Sequence, residues 1–241
     1  MEGVKLMNRT DTKFCFSAEL LPKILEEIQN DYKCVEIEGK RICSYKTLYF
    51  DTEAMMLYHQ HHSGKLNRYK IRKRSYVDSG ISFLEVKFKN NKGRTVKDRI
   101  KDSTGGELGE KSLTFLNKEL PFDPAQLVPV LWVNYGRITL VSKNSAERVT
   151  IDTGLEFVKG DKKIGMQEMV IAEVKQESRK ASAIVEVLKK HRVHEGGISK
   201  YCLAAALICD GVKINNFKEK IHQIKKLNTN DTAANSLRRA D

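Results

Sequence analysis

Within residues 67–100 the chain reads NRYKIRKRSY, then ISFLEVKFKN, then GRTVKDRI. Side chains alternate between the two faces of a strand. Extended chain here therefore sets Lys70, Arg72 and Arg74 on one face, Glu85, Lys87 and Lys89 on one face, and Lys97 with Arg99 on one face. The opposite face of the middle segment carries Leu84, Val86 and Phe88. Such a pattern confines the chain to a sheet with one apolar side and one side crowded with cations and a carboxylate.

A chain of 241 residues, 40% hydrophobic and with four prolines, is long enough to bury a sizeable core and reads as a soluble globular protein. Its formal charge of +12 favours a polyanionic partner: nucleic acid, an anionic membrane surface or a phosphate-rich small molecule. The five cysteines, Cys15, Cys34, Cys43, Cys202 and Cys209, are scattered with no CxxC pair, which suggests neither a disulfide framework nor a zinc site and points to a reducing, cytoplasmic setting. The N-terminal residues lack an apolar signal core, and no apolar run reaches transmembrane length.

Arg9, Asp11 and Lys13 share a face of an opening strand over residues 8–16. Leu21, Ile24, Leu25 and Ile28 stand at helical spacing behind Pro22. Strands are expected around 33–37 and 42–50, joined by an EGK turn, and a helix over 53–62 that stops at Ser63-Gly64. After the three cationic strands come a helix over 111–117, a proline-marked connection and a long hairpin turning at Lys143-Asn144-Ser145. In that hairpin Tyr135 and Arg137 share one parity, as do Arg148, Thr150 and Asp152. A strand over 167–176 places Glu173 and Lys175 on one face, and helices follow around 182–190 and up to Cys209. The expected organisation is one domain over 1–212, then an amphipathic helix through Phe217, Ile221, Ile224 and Leu227, with the polar tail NTNDTAANSLRRAD disordered. Strand follows strand, so the class is α+β with an antiparallel sheet, and about eight strands can close into a barrel.

A charged strand face is ordinarily the wet side of a sheet. Here Lys13, Arg72, Arg74, Lys87, Lys97, Arg99, Arg137, Arg148 and Lys175 all fall on corresponding faces with few acids beside them. Like charges on neighbouring strands repel, and a surplus of facing cations calls for an anion, phosphate suiting the planar arginine fork best. Glu85 and Glu173 are then either salt-bridge partners or ligands to a Mg²⁺ or Mn²⁺ that bridges phosphates. In EGGISK, Ser199 can cap a helix with Lys200 in its first turn, where free backbone N–H groups attract anions. His59, His61 and His62 lack partners at metal-ligand spacing and read as an exposed helix end. No Walker A, GxGxxG or GxSxG pattern occurs. Aromatic residues, at 7%, do not interleave with the basic strands, so no nucleic-acid partner is expected.

Taken in order, RTDTKF, TLYFDT, IRKR, FLEVKFK, TVKDR, NYGRITL with RVTIDT, IAEVK and ISKY resemble the VTC (vacuolar transporter chaperone) domain, from about Lys5 to Leu207. This is the polyphosphate polymerase domain of the triphosphate tunnel, or CYTH, superfamily. The resemblance implies an antiparallel eight-stranded tunnel that binds ATP or another triphosphate by its phosphates and passes the γ-phosphoryl to polyphosphate. It further implies that Lys13, Arg72, Arg74, Lys87, Arg137 and Arg148 serve catalysis, that Lys97, Arg99, Tyr135, Ser199 and Lys200 bind substrate, and that Glu173 holds Mn²⁺ or Mg²⁺. Beside these, Lys175 shares the face of Glu173 and is counted with the substrate-binding residues, and Glu85 either assists the metal or orients Lys87 and the arginines. One departure is visible: where the superfamily opens on Glu-x-Glu-x-Lys, this chain has Arg9, Asp11 and Lys13, which leans away from a two-metal triphosphatase. The SPX-like and transmembrane segments of eukaryotic relatives are not seen, so coupling to translocation would fall to a membrane-protein partner. A triphosphatase of the same fold and a non-catalytic polyanion-binding module are the rival readings.

Overall fold

The computed structural model describes residues 10–177, 180–197 and 199–237. Arg9 lies outside the described residues. The elements run β1 (Thr10–Ser17), α1 (Leu21–Ile28), β2 (Tyr32–Cys34), β3 (Ile42–Thr52), α2 (Met56–His62), β4 (Arg68–Tyr76), β5 (Ile81–Lys89), β6 (Thr95–Lys101), α3 (Glu110–Glu119), β7 (Leu127–Ser142), β8 (Glu147–Lys159), β9 (Lys162–Met166), β10 (Met169–Gln176), α4 (Ala183–Lys190), α5 (Lys200–Ile208) and α6 (Lys218–Leu237). The class is α+β, with an antiparallel sheet in the order β1-β10-β8-β7-β3-β4-β5-β6, while β2 pairs with β7 and β9 with β8. The sheet therefore has ten strands where eight were expected, and β1 and β6 are its ends, unpaired with each other.

Three apolar clusters show how the sheet is covered. On the convex side, Phe14, Leu140, Val149, Ile151, Ala172 and Val174 pack beneath Ile24 and Ile28 of α1 and Ile184 and Leu188 of α4. At the other end of that side, Leu48, Phe50, Ile71, Leu84 and Val86 meet Leu116 and Leu120 in and just after α3. The third cluster lies on the opposite parity: Tyr49, Leu131, Val133, Tyr135, Phe157 and Ile171 pack against Tyr201, Cys202, Ala205 and Ile208. Helix α5, whose Ala- and Leu-rich sequence suits close approach to the sheet, thus plugs one end of the concave face. Ile221 and Ile224 of α6 join the same cluster.

Two buried polar groups fix the ends of these elements. Asp51 of TLYFDT is fully buried and accepts from the amides of Thr52, Leu57 and Tyr58 at 2.8 Å each and from the Tyr201 hydroxyl at 2.5 Å. One carboxylate so caps α2 and ties α5 to β3. Lys73, on the face opposite Arg72 and Arg74, is only 2% exposed; its ammonium donates to the carbonyls of Thr104, Gly105 and Glu107 at 2.5, 3.1 and 2.9 Å and lies 3.1 Å from Asp102. It pins the glycine-containing loop before α3 to the convex face.

Three segments go beyond the sequence pattern. The segment 162–166 forms a strand of its own, β9, because Gly160-Asp161 turns the chain back on β8. Helix α6 runs on through the polar stretch from Asn228 to Leu237, with no glycine or proline in 218–237 to interrupt it, and residues 238–241 of the tail lie outside the described residues. The imidazoles of α2 are not an exposed end: His62 stacks on Tyr58 with centroids 6.2 Å apart and accepts from the amide of Asn216 at 3.1 Å, and His61 is partly buried.

Sheet ends carry free hydrogen-bonding groups that need cover. At β1 the cover is the EGG segment: Phe14 and Glu195 form an antiparallel bridge, and the amide of Gly196 donates to the carbonyl of Lys13 at 2.9 Å. A Cβ on Gly197 would stand 2.7 Å from Cβ of Lys13, so close approach to β1 requires glycine here. Gly197→Ala is expected to push this segment off β1 and to cost about 1–3 kcal/mol, the range of an overpacked contact, measured by urea denaturation; a change within ~0.5 kcal/mol would show that the contact relaxes freely.

Candidate phosphate-binding tunnel

The concave face is laid out in rows set by strand register. On one wall Lys13 lies opposite Glu173, which lies opposite Thr150, and Thr150 opposite Thr139; the next rows are Asp11–Lys175–Arg148 and Ile171–Asp152–Arg137. On the other wall Tyr49, Arg72, Glu85 and Arg99 form one row, Thr47, Arg74 and Phe83 a second, and Lys70, Lys87 and Lys97 a third. The curl of the sheet brings the walls face to face. Burial alone would raise the Glu173 carboxyl; Lys175, Lys13, Lys87 of β5 and Lys200 of α5 outweigh it and hold the group well below the usual carboxylate range.

Two carboxylates arrange the cations. Glu85 is fully buried between Arg72 and Lys97: Arg72 donates through Nε at 2.7 Å and lies 2.6 Å away through a terminal nitrogen, and Lys97 bonds the other oxygen. Asp152, 2% exposed, takes two parallel bonds from Arg137 at 2.5 and 2.8 Å and one from Lys200. Burial would raise both acids, and the adjoining cations hold them ionised and low: Arg72, Arg74 and Lys97 at Glu85, Lys200 and Arg137 at Asp152. Each carboxylate bridges an arginine and a lysine from different elements and leaves one net positive charge. Fixed geometry of this kind preorganises a site without neutralising it.

Burial and crowding act on the lysines of this wall, and among the described residues Lys70 and Lys87 make no such carboxylate bridge. Burial, with Lys13, Arg72 and Arg68 nearby, brings Lys70 down to about 8. Lys87 is pushed well below its ordinary value by Arg72, by burial and by Arg74 and Lys70, with Glu173 opposing. Burial lowers Lys97 to about 8, against the pull of Glu85. His61 is lowered to about 2 by burial and by Lys70, Arg68, Lys89 and Lys13, so α2 sets a neutral imidazole beside this cluster.

Rings line the end nearest α5. Tyr45 stacks on Tyr135 at 5.3 Å and meets Tyr76 at 5.0 Å. Arg137 lies 5.0 Å from the Tyr45 centroid, Lys200 5.0 Å from that of Tyr135, and Arg99 4.3 Å from that of Phe83, positions in which ring faces attract the cations and hold them. Burial would raise the Tyr135 hydroxyl, but Arg74 and Arg137 bring it below its usual value, which makes it a stronger donor.

The structure brings the sequence-predicted residues to one face, with differences among them. Lys13, Lys87, Glu173 and Lys175 are half-buried on the facing walls, Glu173 lying 3.6 Å from Lys175. Arg72 and Arg74 are each 8% exposed, whereas Arg99 and Arg148 are exposed. Ser199 accepts from the amide of Cys202 at 3.5 Å and so caps α5, while Lys200 beside it is already bonded to Asp152. Both Glu85 oxygens are taken by cations, whereas Glu173 meets Lys175 only at 3.6 Å. Among the described residues no group of three or more His, Cys, Asp or Glu could enclose a metal. A Mg²⁺ or Mn²⁺ held through one carboxylate and otherwise through phosphate oxygens and water fits this donor set. Sequence reading missed Asp152 as the partner of Arg137 and Lys200, although its parity with Arg148 and Thr150 in RVTIDT marked it, and it left Lys70 out of the site despite its place beside Arg72.

This architecture is that of the tunnel-fold class. The VTC domain model matches residues 8–209, and the chain belongs to that family. Among solved structures it is similar to a protein from Hippeastrum described as a putative adenylyl cyclase with a dominant triphosphatase activity: TM-score 0.50, 13% identity, covering 82% of this chain and 96% of that one. A protein from Pyrococcus horikoshii OT3 aligns with TM-score 0.47 and 12% identity over 82% of this chain and 96% of its own. No curated protein gives a significant match. No helix among the described residues is long and apolar enough to cross a membrane.

Proposed function

We infer that the chain is a metal-dependent phosphotransferase that moves the γ-phosphoryl of ATP onto a growing polyphosphate chain. The observation that carries this reading is the pair of carboxylate bridges, Arg72–Glu85–Lys97 and Arg137–Asp152–Lys200, which hold cations in place on opposite walls while Lys13, Lys70 and Lys87 remain to meet an anion. Membership of the VTC family agrees with it.

Arg72, Arg74 and Arg137 would grip the triphosphate, and Lys13, Lys87 and Lys175, around Glu173, would draw the terminal phosphate of the acceptor into line with it. Attack by an acceptor phosphate oxygen forms the new P–O bond as the bond from the γ-phosphorus to the β–γ bridging oxygen breaks, and the electron pair leaves with ADP. That oxygen is already ionised, so no strong base is required. Positioning and charge stabilisation supply the rate. Glu173 would hold the divalent cation, which offsets charge on the transferring group.

A triphosphatase is the second reading, favoured by the activity described for the Hippeastrum protein. Incubation with ATP and Mn²⁺, read by phosphorus NMR and gel electrophoresis, separates the two: lengthening polyphosphate with release of ADP is the expected result, and orthophosphate without chain growth would overturn it in favour of hydrolysis. Turnover of neither kind with any divalent metal would leave a polyanion-binding module.

Binding should also report the lysines. An anion favours their protonated form, so tripolyphosphate affinity is expected to be full below pH 8 and to fall as pH rises through 8, where Lys70 and Lys97 lose their protons in the free protein. Calorimetry at pH 8–9 in buffers of differing ionisation enthalpy should register proton uptake; none would place the phosphates away from these lysines.

A further inference from the structure

The concave face also carries hydroxyls for which the fold supplies no partner. Thr150 is 4% exposed and Thr47 fully buried, and neither hydroxyl has a hydrogen-bond partner among the described residues. Nε of Arg74 and the hydroxyl of Tyr135 are buried and unpaired in the same sense. A buried donor without a partner costs about 1–3 kcal/mol, and valine fits where threonine does, with no hydroxyl to satisfy. Strand packing does not account for hydroxyls at these two positions.

Their placement does. Thr150 lies directly across from Glu173 on β10 and Thr139 on β7, with Arg148 and Asp152 two residues to either side on its own face. Thr47 lies directly across from Arg74 on β4, and Tyr135 is across from Tyr45, the next residue of that face. One hydroxyl is thus set within each wall's cationic rows. An ionised phosphate oxygen is purely an acceptor, and a threonine hydroxyl freed from other bonds is a neutral donor that adds no further repulsion to the crowded cations.

We propose that Thr150 and Thr47 are substrate-contacting residues, Thr150 donating to an oxygen of the phosphate held beside Glu173 and Thr47 completing, with Arg74 and Tyr135, a pocket for a phosphate on the opposite wall. The ligand class is a chain of at least two linked phosphates that spans both walls. The proposal rests on the phosphotransferase reading only in requiring that phosphates enter the concave face; it holds equally for transfer and for hydrolysis.

The test is Thr150→Val and Thr47→Val in the full chain, with inorganic tripolyphosphate as the probe, each variant measured by calorimetry and by thermal denaturation. Loss of one hydrogen bond to a charged acceptor, worth about 1.5–3 kcal/mol, should weaken binding roughly 10- to 150-fold, while Tm without ligand stays level or rises because an unpaired buried hydroxyl has gone. Thr150→Ser and Thr47→Ser should restore most of the affinity. A structural role would show the reverse, a lower Tm with affinity intact, and that result would overturn the proposal. Affinity within twofold of wild type in both valine variants would overturn it as well, leaving the phosphotransferase reading untouched. Failure of the wild-type protein to bind tripolyphosphate at all would remove both.

Discussion

Glu85→Gln is expected to destabilise the free protein by about 3–5 kcal/mol, the usual cost of breaking a buried ion pair from one side, and so to lower Tm by roughly 6–20 °C for a chain of this size. Glutamine fills the same space, so the loss is electrostatic: Arg72 and Lys97 would face Lys87, Lys70 and Arg74 with no carboxylate between them. Saturating tripolyphosphate should recover part of the deficit, since the anion replaces the missing charge; no recovery would contradict placement of the phosphates beside Arg72. Acid should act in the same direction on the wild type. The folded-state values of Glu85, Asp152 and Glu173 lie below the ordinary carboxylate range, so their contribution is present above about pH 4–5 and is lost as pH falls below it toward those values. Denaturant titrations at pH 7, 5 and 3 should show a steep decline over the last step, and Glu85→Gln should flatten it.

Glu173→Gln has the largest expected effect on turnover, a fall of about 10²–10³, by the measure of losing one positioned charge-stabilising group. Its side chain is 20% exposed and its neighbour Lys175 stands 3.6 Å away, so the fold should tolerate the change far better than at Glu85. Binding separates the metal assignment from a general defect. Without metal, tripolyphosphate should bind Glu173→Gln as well as or better than wild type, because a negative charge has left a cationic cleft. Added Mn²⁺ should strengthen binding to wild type and not to the variant. Equal enhancement of both would exclude Glu173 as the metal ligand.

Much of this site is legible in the period-two alternation. Lys13, Arg72, Arg74, Lys87, Arg137 and Glu173 fall on the concave face because their parity is set by the buried residues between them, such as Ile71, Val86 and Val174. Parity reports the face and not the partner across it. Asp152 therefore looked like one more polar residue of a hairpin, although it fixes Arg137 and Lys200, the latter nearly fifty residues away. Parity alone likewise leaves Glu85 open to a metal, whereas in the fold Arg72 and Lys97 occupy its two oxygens. Lys73 reads as part of a basic run, yet it is buried on the other face by carbonyls of a loop about thirty residues on. Closure was likewise beyond the pattern. Strand number suggests a barrel, but the outer edge of β1 is covered by Glu195 and Gly196, a choice set by the close approach of Gly197 to Lys13.

The most direct test is a crystal structure with tripolyphosphate and Mn²⁺. The expected density is a chain of phosphates along the concave face, touching Arg72, Arg74 and Arg137, with an anomalous manganese peak at the Glu173 carboxylate. Phosphates bound only to the convex surface or to α6, with the concave face holding none, would contradict the assignment of this face as the site of phosphoryl transfer.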